Sequence, residues 1–185
     1  MTTIDITMTR GSLPSTPTAV DVALEASTTN ERATTMIAAS WRMLESYTGR
    51  LYWPATAATA VAVLDAQGDA QWPRQPYPDS LTVEQWSGGA WAAVAGAEYV
   101  PEFGAALDLP AGRYRLTAGA VDPGTPAENV SEACRALALY QLIHSPARRE
   151  FRSITAGDST MTREALAGLF KASGAGLLLA GEVRW

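Results

Sequence analysis

A chain of 185 residues and 19.6 kDa holds one domain with extensions, or a small domain flanked by helices. With 47% apolar and 18% charged residues it is not a fully disordered polymer. The net charge is -5 and 13 of the 14 basic residues are Arg, so there is no Lys-rich tract of the kind that wraps DNA or adheres to acidic lipid.

The single cysteine, Cys134, rules out an internal disulfide, a thiolate zinc cluster or a redox pair built within one chain. Its place on an apolar helical face predicts a small buried hydrophobe. The start, Met1-Thr2-Thr3-Ile4-Asp5, lacks the basic and apolar regions of a signal peptide. The longest apolar block, Ala175 to Ala180, is far too short to span a bilayer. The expectation is synthesis in a cytoplasm, with no membrane partner.

Residues 1–27 read as an N-terminal arm, flexible or docked. The first 17 contain five Thr, two Ser, two Pro and one Gly without sustained periodicity. Ala19 to Leu24 is compatible with a short strand or a helical turn. The clearest helix follows over 28–50, with Met36, Ile37, Trp41, Leu44 and Tyr47 at three-to-four spacing on one face. Thr28 and Glu31 predict a capping box at its start, and Gly49 a left-handed residue at its end.

Residues 51–124 switch to alternation and predict an antiparallel β insertion of about four to six strands. Thr59 to Leu64 reads as a strand ending at a turn, and Pro73, Pro76 and Pro78 mark an irregular passage. Alternation from Leu81 to Trp86, then Gly88-Gly89 and Trp91 to Val94, predicts a hairpin. Leu107 and Leu109, then Pro110-Ala111-Gly112, then Tyr114 and Leu116 predict a second one.

The second long helix, within 125–146, opens at Thr125-Pro126-Ala127-Glu128 with a capping hydroxyl, proline at the first position and glutamate behind it. Val130, Ala133, Cys134, Leu137, Tyr140 and Ile143 form its apolar face, and Ser145-Pro146 predicts its end. The fold expected is therefore α+β: a helical core of two long helices plus a short C-terminal helix, with a small antiparallel insertion between the long helices. The tail, 147–185, is mildly basic. A helix opening at Thr162 presents Leu166, Leu169 and Phe170 and stops at Ser173-Gly174, followed by the run Leu177, Leu178, Leu179 and the terminal Arg184-Trp185.

Catalytic motifs are missing. His144 lies beside Ser145, but a nucleophile and its base meet through space with a third group orienting the base, and a histidine near a helix C-terminus is explained by the helix dipole. The carboxylates are scattered singly, without an HExxH or EF-hand pattern, and Gly174-Ala175-Gly176 is not followed by the Lys-Ser/Thr of a phosphate loop. No enzyme, cofactor or metal is expected. Trp86, Trp91 and Tyr114 on strands offer a stacking platform for bases or sugars, or else the core of a small sheet.

Four pieces in this order carry a resemblance: AASWRMLESYTGR (38–50), RLTAGAVDPG (115–124), ENVSEACRALALYQLIHSPARR (128–149) and ASGAGLLLAGEVRW (172–185). The chain resembles the head-tail connector, or adaptor, proteins of tailed bacteriophages and phage-derived gene transfer agents. The first fifteen residues have no counterpart in it. The resemblance implies a structural virion protein at the head-tail junction. Many copies, commonly twelve, would form a ring on the portal protein, extend the DNA channel and meet a head-tail stopper or tail protein. It also implies that the tail docks on the portal, through Phe170, Leu177, Leu178, Leu179, Arg184 and Trp185. An acidic channel wall lets DNA slide past without specific binding. The rival readings are another virion junction protein, a stopper or tail-completion protein, and an aromatic-faced β binding module.

Overall fold

The computed structural model describes residues 2–152 and 168–183. The chain divides into two compact units. Unit 1 comprises Met1–Leu13 and Gly49–Gly124, and unit 2 comprises Pro14–Thr48 and Thr125–Trp185.

Unit 1 is all β among its described residues. Its strands are β1 (Thr2–Arg10), β2 (Ala55–Leu64), β3 (Gly68–Gln71), β4 (Thr82–Ser87), β5 (Ala90–Ala93), β6 (Tyr99–Val100), β7 (Ala105–Leu109) and β8 (Gly112–Ala118). They form a five-stranded antiparallel sheet in the order β1-β2-β8-β4-β5 and a three-stranded one in the order β3-β7-β6. Alternation decides which side chains go inward. Ala58, Ala60 and Leu64 of β2, Tyr114, Leu116 and Ala118 of β8 and Val83 of β4 share a buried cluster with Ala70, Trp72, Ala106 and Leu109 of the second layer. Alanines on β2 let the second layer approach closely, and Trp72 is buried in the same cluster.

Unit 2 is helical. Its elements are α1 (Ala19–Glu25), α2 (Asn30–Thr48), α3 (Glu128–Arg152), helical residues 168–172 (α4) and α5 (Ala175–Leu178). The Thr18 hydroxyl caps α1 by accepting from the Asp21 amide at 3.1 Å. The apolar face of α2 packs on that of α3, burying Ile37, Trp41, Leu44, Val130, Cys134 and Leu137. Full burial is worth about 2 kcal/mol for each leucine. Polar contacts fix the register of the pair. Gln141 Nε2 donates to Ser40 Oγ at 3.1 Å, and the Cys134 thiol points at the Ile37 carbonyl at 3.9 Å.

The expected architecture needs correction. Two long helices with a small β insertion do not describe the protein, which has five helices and two antiparallel sheets of five and three strands among its described residues. The larger sheet takes in residues 2–10, where Ile6 and Met8 turn toward the core while Asp5, Thr7 and Thr9 stay exposed. Its β1 pairs along nearly the whole of β2.

The second predicted hairpin is not one. β7 and β8 follow each other in sequence but lie in different sheets. Asp108 adopts φ +53°, and Pro110 has no amide to donate to a ladder. The Tyr114 hydroxyl then donates to the Pro110 carbonyl at 2.8 Å and pins the corner. The β4–β5 hairpin does form as expected, with Gly88 and Gly89 at φ +58° and +88°.

Two helix boundaries shift. Thr29, not Thr28, caps α2, its hydroxyl accepting from the Arg32 amide at 3.3 Å. α3 runs past Ser145-Pro146 to Arg152. The expected helix start at Thr162 lies outside the described residues.

Candidate interaction surfaces

The tail residues singled out by the resemblance part company in the structure. Phe170 is 1% exposed, and its ring stacks on Tyr47 with centroids 4.2 Å apart and an interplanar angle of 15°. Leu179 is wholly buried, as is Ala175 at the start of α5. Leu178 is half-buried, and its carbonyl accepts from Asn129 Nδ2 at 3.1 Å. Leu177, by contrast, is 86% exposed.

The local cause is the short helix. Gly174 enters at φ +77°, closing α4, and the Ser173 hydroxyl accepts from the Ala175 amide at 3.4 Å. The chain therefore re-enters a helical turn with Leu177 and Leu179 about 200° apart around it. One side of that turn packs on α3 and the other points away. Arg184 and Trp185 lie outside the described residues.

The three aromatics considered as a platform do not act together. Tyr114 points into the core, whereas Trp86 and Trp91 lie on the outer face of the large sheet, in an edge-to-face pair with centroids 5.2 Å apart. Trp91 reaches across β4 toward β8. The guanidinium of Arg115 sits 4.8 Å from its ring centroid and that of Arg113 5.7 Å. Arg115 Nε also donates to Glu84 Oε2 at 2.6 Å, a pair directly opposite in the β4–β8 register.

That hydrogen bond holds the Glu84 carboxyl below the ordinary value of 4.5 and raises the Arg115 guanidinium in turn. Because the folded value of Glu84 is depressed, the pair is intact at neutral pH and is lost only as pH falls through the folded value. Sequence alternation marks Arg113 and Arg115 as the outward residues of β8. It carries no signal that Trp91 spans a strand to reach them.

Unit 2 presents a second feature, an open groove of about 710 Å³ lined by Thr18, Asp21, Glu25, Glu128, Glu132 and Arg135 among others. Arg135 pairs with Glu25 and, at 2.7 Å, with Glu132, which leaves the rim acidic. Among the described residues no three His, Cys, Asp or Glu side chains converge as metal ligands, and no helix is long and apolar enough to cross a membrane. Burial pushes the Cys134 thiol well above its ordinary range, which keeps it an unreactive core group.

Two solved structures have a similar fold. A chain from the neck of an empty GTA particle, computed with C6 symmetry, is 15% identical, with 92% of this chain and 95% of that one covered at a TM-score of 0.51. A chain from the virion of a native gene transfer agent (GTA) particle is 13% identical, with 91% and 94% covered at a TM-score of 0.52. At these identities the likeness is one of fold. No protein-family model matches the chain, and no curated protein does.

Proposed function

We propose that the chain is a structural subunit of the neck of a tailed particle: a head-tail connector, or adaptor, that forms a ring on the portal protein, extends the DNA channel and meets a stopper or tail protein on its far side. The observation that carries this reading is the extent of the fold likeness. It covers over nine-tenths of this chain and of a chain from a GTA particle neck. The order of sequence pieces that resembles connector proteins supports it independently. The reading assigns the chain no catalytic step and no cofactor, and places it at the head-tail junction of the virion.

Phe170 and Leu179 are committed to their own core, so among the described tail residues portal docking rests on the exposed Leu177, to which the resemblance adds Arg184 and Trp185. One exposed leucine and a short basic-aromatic end make a weak contact. Repetition around a ring multiplies it into a stable attachment.

A charged residue at 177 tests this directly. Leu177→Asp is expected to weaken binding of the purified chain to portal rings by ten-fold or more while the melting temperature stays within about 2 °C of the parent, as for an exposed substitution. Unchanged portal binding by this variant contradicts the assignment.

A further inference from the structure

We propose that copies of this chain join head to tail through unit 1, the Glu102–Phe103 turn of one copy seating on the Trp86–Trp91–Arg113–Arg115 face of the next. The inference rests on the ring reading above and supplies its subunit contact.

The receiving face is the outer side of the large sheet. Its cross-strand rows follow from the register: Val63 opposite Arg113 and Trp86 opposite Trp91 in one, Val61 opposite Arg115, Arg115 opposite Glu84 and Glu84 opposite Ala93 in the next. Val61 and Val63 are half-buried, and Trp86 is 43% exposed. Two guanidinium groups against one indole ring, one of them fixed by Glu84, form a surface ordered before any partner arrives. Such ordering lowers the entropy lost on binding, and Trp and Arg are the residues that most often dominate protein contacts. With two arginines against one glutamate, the patch is basic on a unit that is otherwise acidic.

The inserting element is the turn between β6 and β7. Phe103 is 66% exposed at its tip, and Glu102, Glu98 and Asp79 are exposed around it. The turn is rigid. The Phe103 amide donates to the Val100 carbonyl at 3.2 Å and the Gly104 amide to the Pro101 carbonyl at 3.1 Å, while the Gly104 carbonyl accepts from the Trp72 amide at 2.6 Å. Burial, with the nearby Asp79, Tyr77 and Glu102 adding to it, pushes the Tyr99 hydroxyl up to about 12. An aromatic knob with an acidic collar thus matches an apolar plate carrying two arginines.

Knob and plate cannot meet within one copy. The turn belongs to the small sheet that covers the inner face of the large one, whereas the plate is on the outer face. They also lie at opposite ends: the turn precedes Ala105, while Arg113 follows the corner after Leu109, a separation along β7 of roughly 13 Å. A contact between two different patches on opposite sides of one unit is heterologous, and it closes into a ring when the rotation per copy permits.

The test uses the full chain at about 1 mM, the local concentration that tethering in an assembly imposes, and reads self-association by sedimentation velocity. The parent is expected to sediment beyond the monomer. Glu102→Arg and Arg113→Glu should each return it to the monomer, and an equimolar mixture of the two should restore association, since each variant's knob then fits the other's plate. Arg113 also stacks on Trp91, so if its variant loses its fold, Glu102→Arg at the exposed turn decides alone.

Three results overturn the proposal: a parent that stays monomeric, a Glu102→Arg variant that associates like the parent, or a mixture of folded variants that stays monomeric. A monomeric parent that binds a short DNA duplex, with binding lost in Arg113→Glu, assigns the face to a polyanion instead. None of these outcomes bears on whether the protein sits in a neck, which particle microscopy decides separately.

Discussion

Phe170→Ala is expected to destabilise unit 2 by about 3–5 kcal/mol, the range for emptying a large aromatic site in a packed core. The ring is almost wholly buried and stacked on Tyr47 of α2, so its loss removes both the buried area and an aromatic pair worth about 1 kcal/mol on its own. Against a total stability on the order of 5–15 kcal/mol, unit 2 becomes marginal. Urea unfolding followed by far-ultraviolet circular dichroism, which reads the helices, measures the loss. A cost below about 1 kcal/mol would mean that Phe170 does not occupy this site. The same packing changes what a tail deletion reports. Removing 174–185 takes away the buried Ala175 and Leu179 along with the exposed Leu177, so lost attachment in that deletion mixes unfolding with docking. The point variant at Leu177 separates the two.

Gly104→Ala is expected to cost unit 1 about 2–5 kcal/mol. The residue sits at φ +62°, where a Cβ costs about 1–2 kcal/mol. That Cβ would also lie 2.3 Å from Cδ1 and 2.4 Å from Cγ of Tyr77, positions near the base of the ring that no rotation of its far end relieves. Overpacking of this kind adds about 1–3 kcal/mol. Gly49 is the control, with φ +70° but nothing within 4 Å of an added Cβ, so Gly49→Ala is expected to cost only the backbone part, about 1–2 kcal/mol. Thermal unfolding of the two variants side by side checks the difference. Equal losses would mean that Tyr77 does not pack on the turn. Because the Gly104 turn also carries Phe103, the variant should weaken self-association as well.

The two long helices were legible because each carries one apolar face at helical spacing with a polar start, and α2 and α3 pack through those faces. β1 was not, although its alternation is present in Ile4, Ile6 and Met8 against Asp5, Thr7 and Thr9; four Thr in nine residues, followed by a Gly-, Ser- and Pro-rich stretch, are also what an N-terminal arm contains. The β7–β8 corner has the composition of a hairpin, Pro110-Ala111-Gly112 between alternating runs. Only tertiary pairing, β7 with β3 and β8 with β2 and β4, distinguishes the two. In the tail, Leu177 and Leu179 are equivalent as composition. Their fates diverge through the phase of one helical turn, which is set by a positive-φ glycine. Alternation with Tyr114 and Leu116 puts Arg113 and Arg115 on the outer face, but their stacking on Trp91 depends on a side chain crossing an intervening strand, which no periodicity encodes.

A protein at the head-tail junction is needed to join tails to filled heads, so electron microscopy of a lysate from a host carrying the particle with this gene deleted should show unattached tails beside heads that have lost or cannot hold their DNA. The parent gene supplied in trans should restore normal particles. Intact tailed particles filled with DNA in the deletion lysate would contradict this placement.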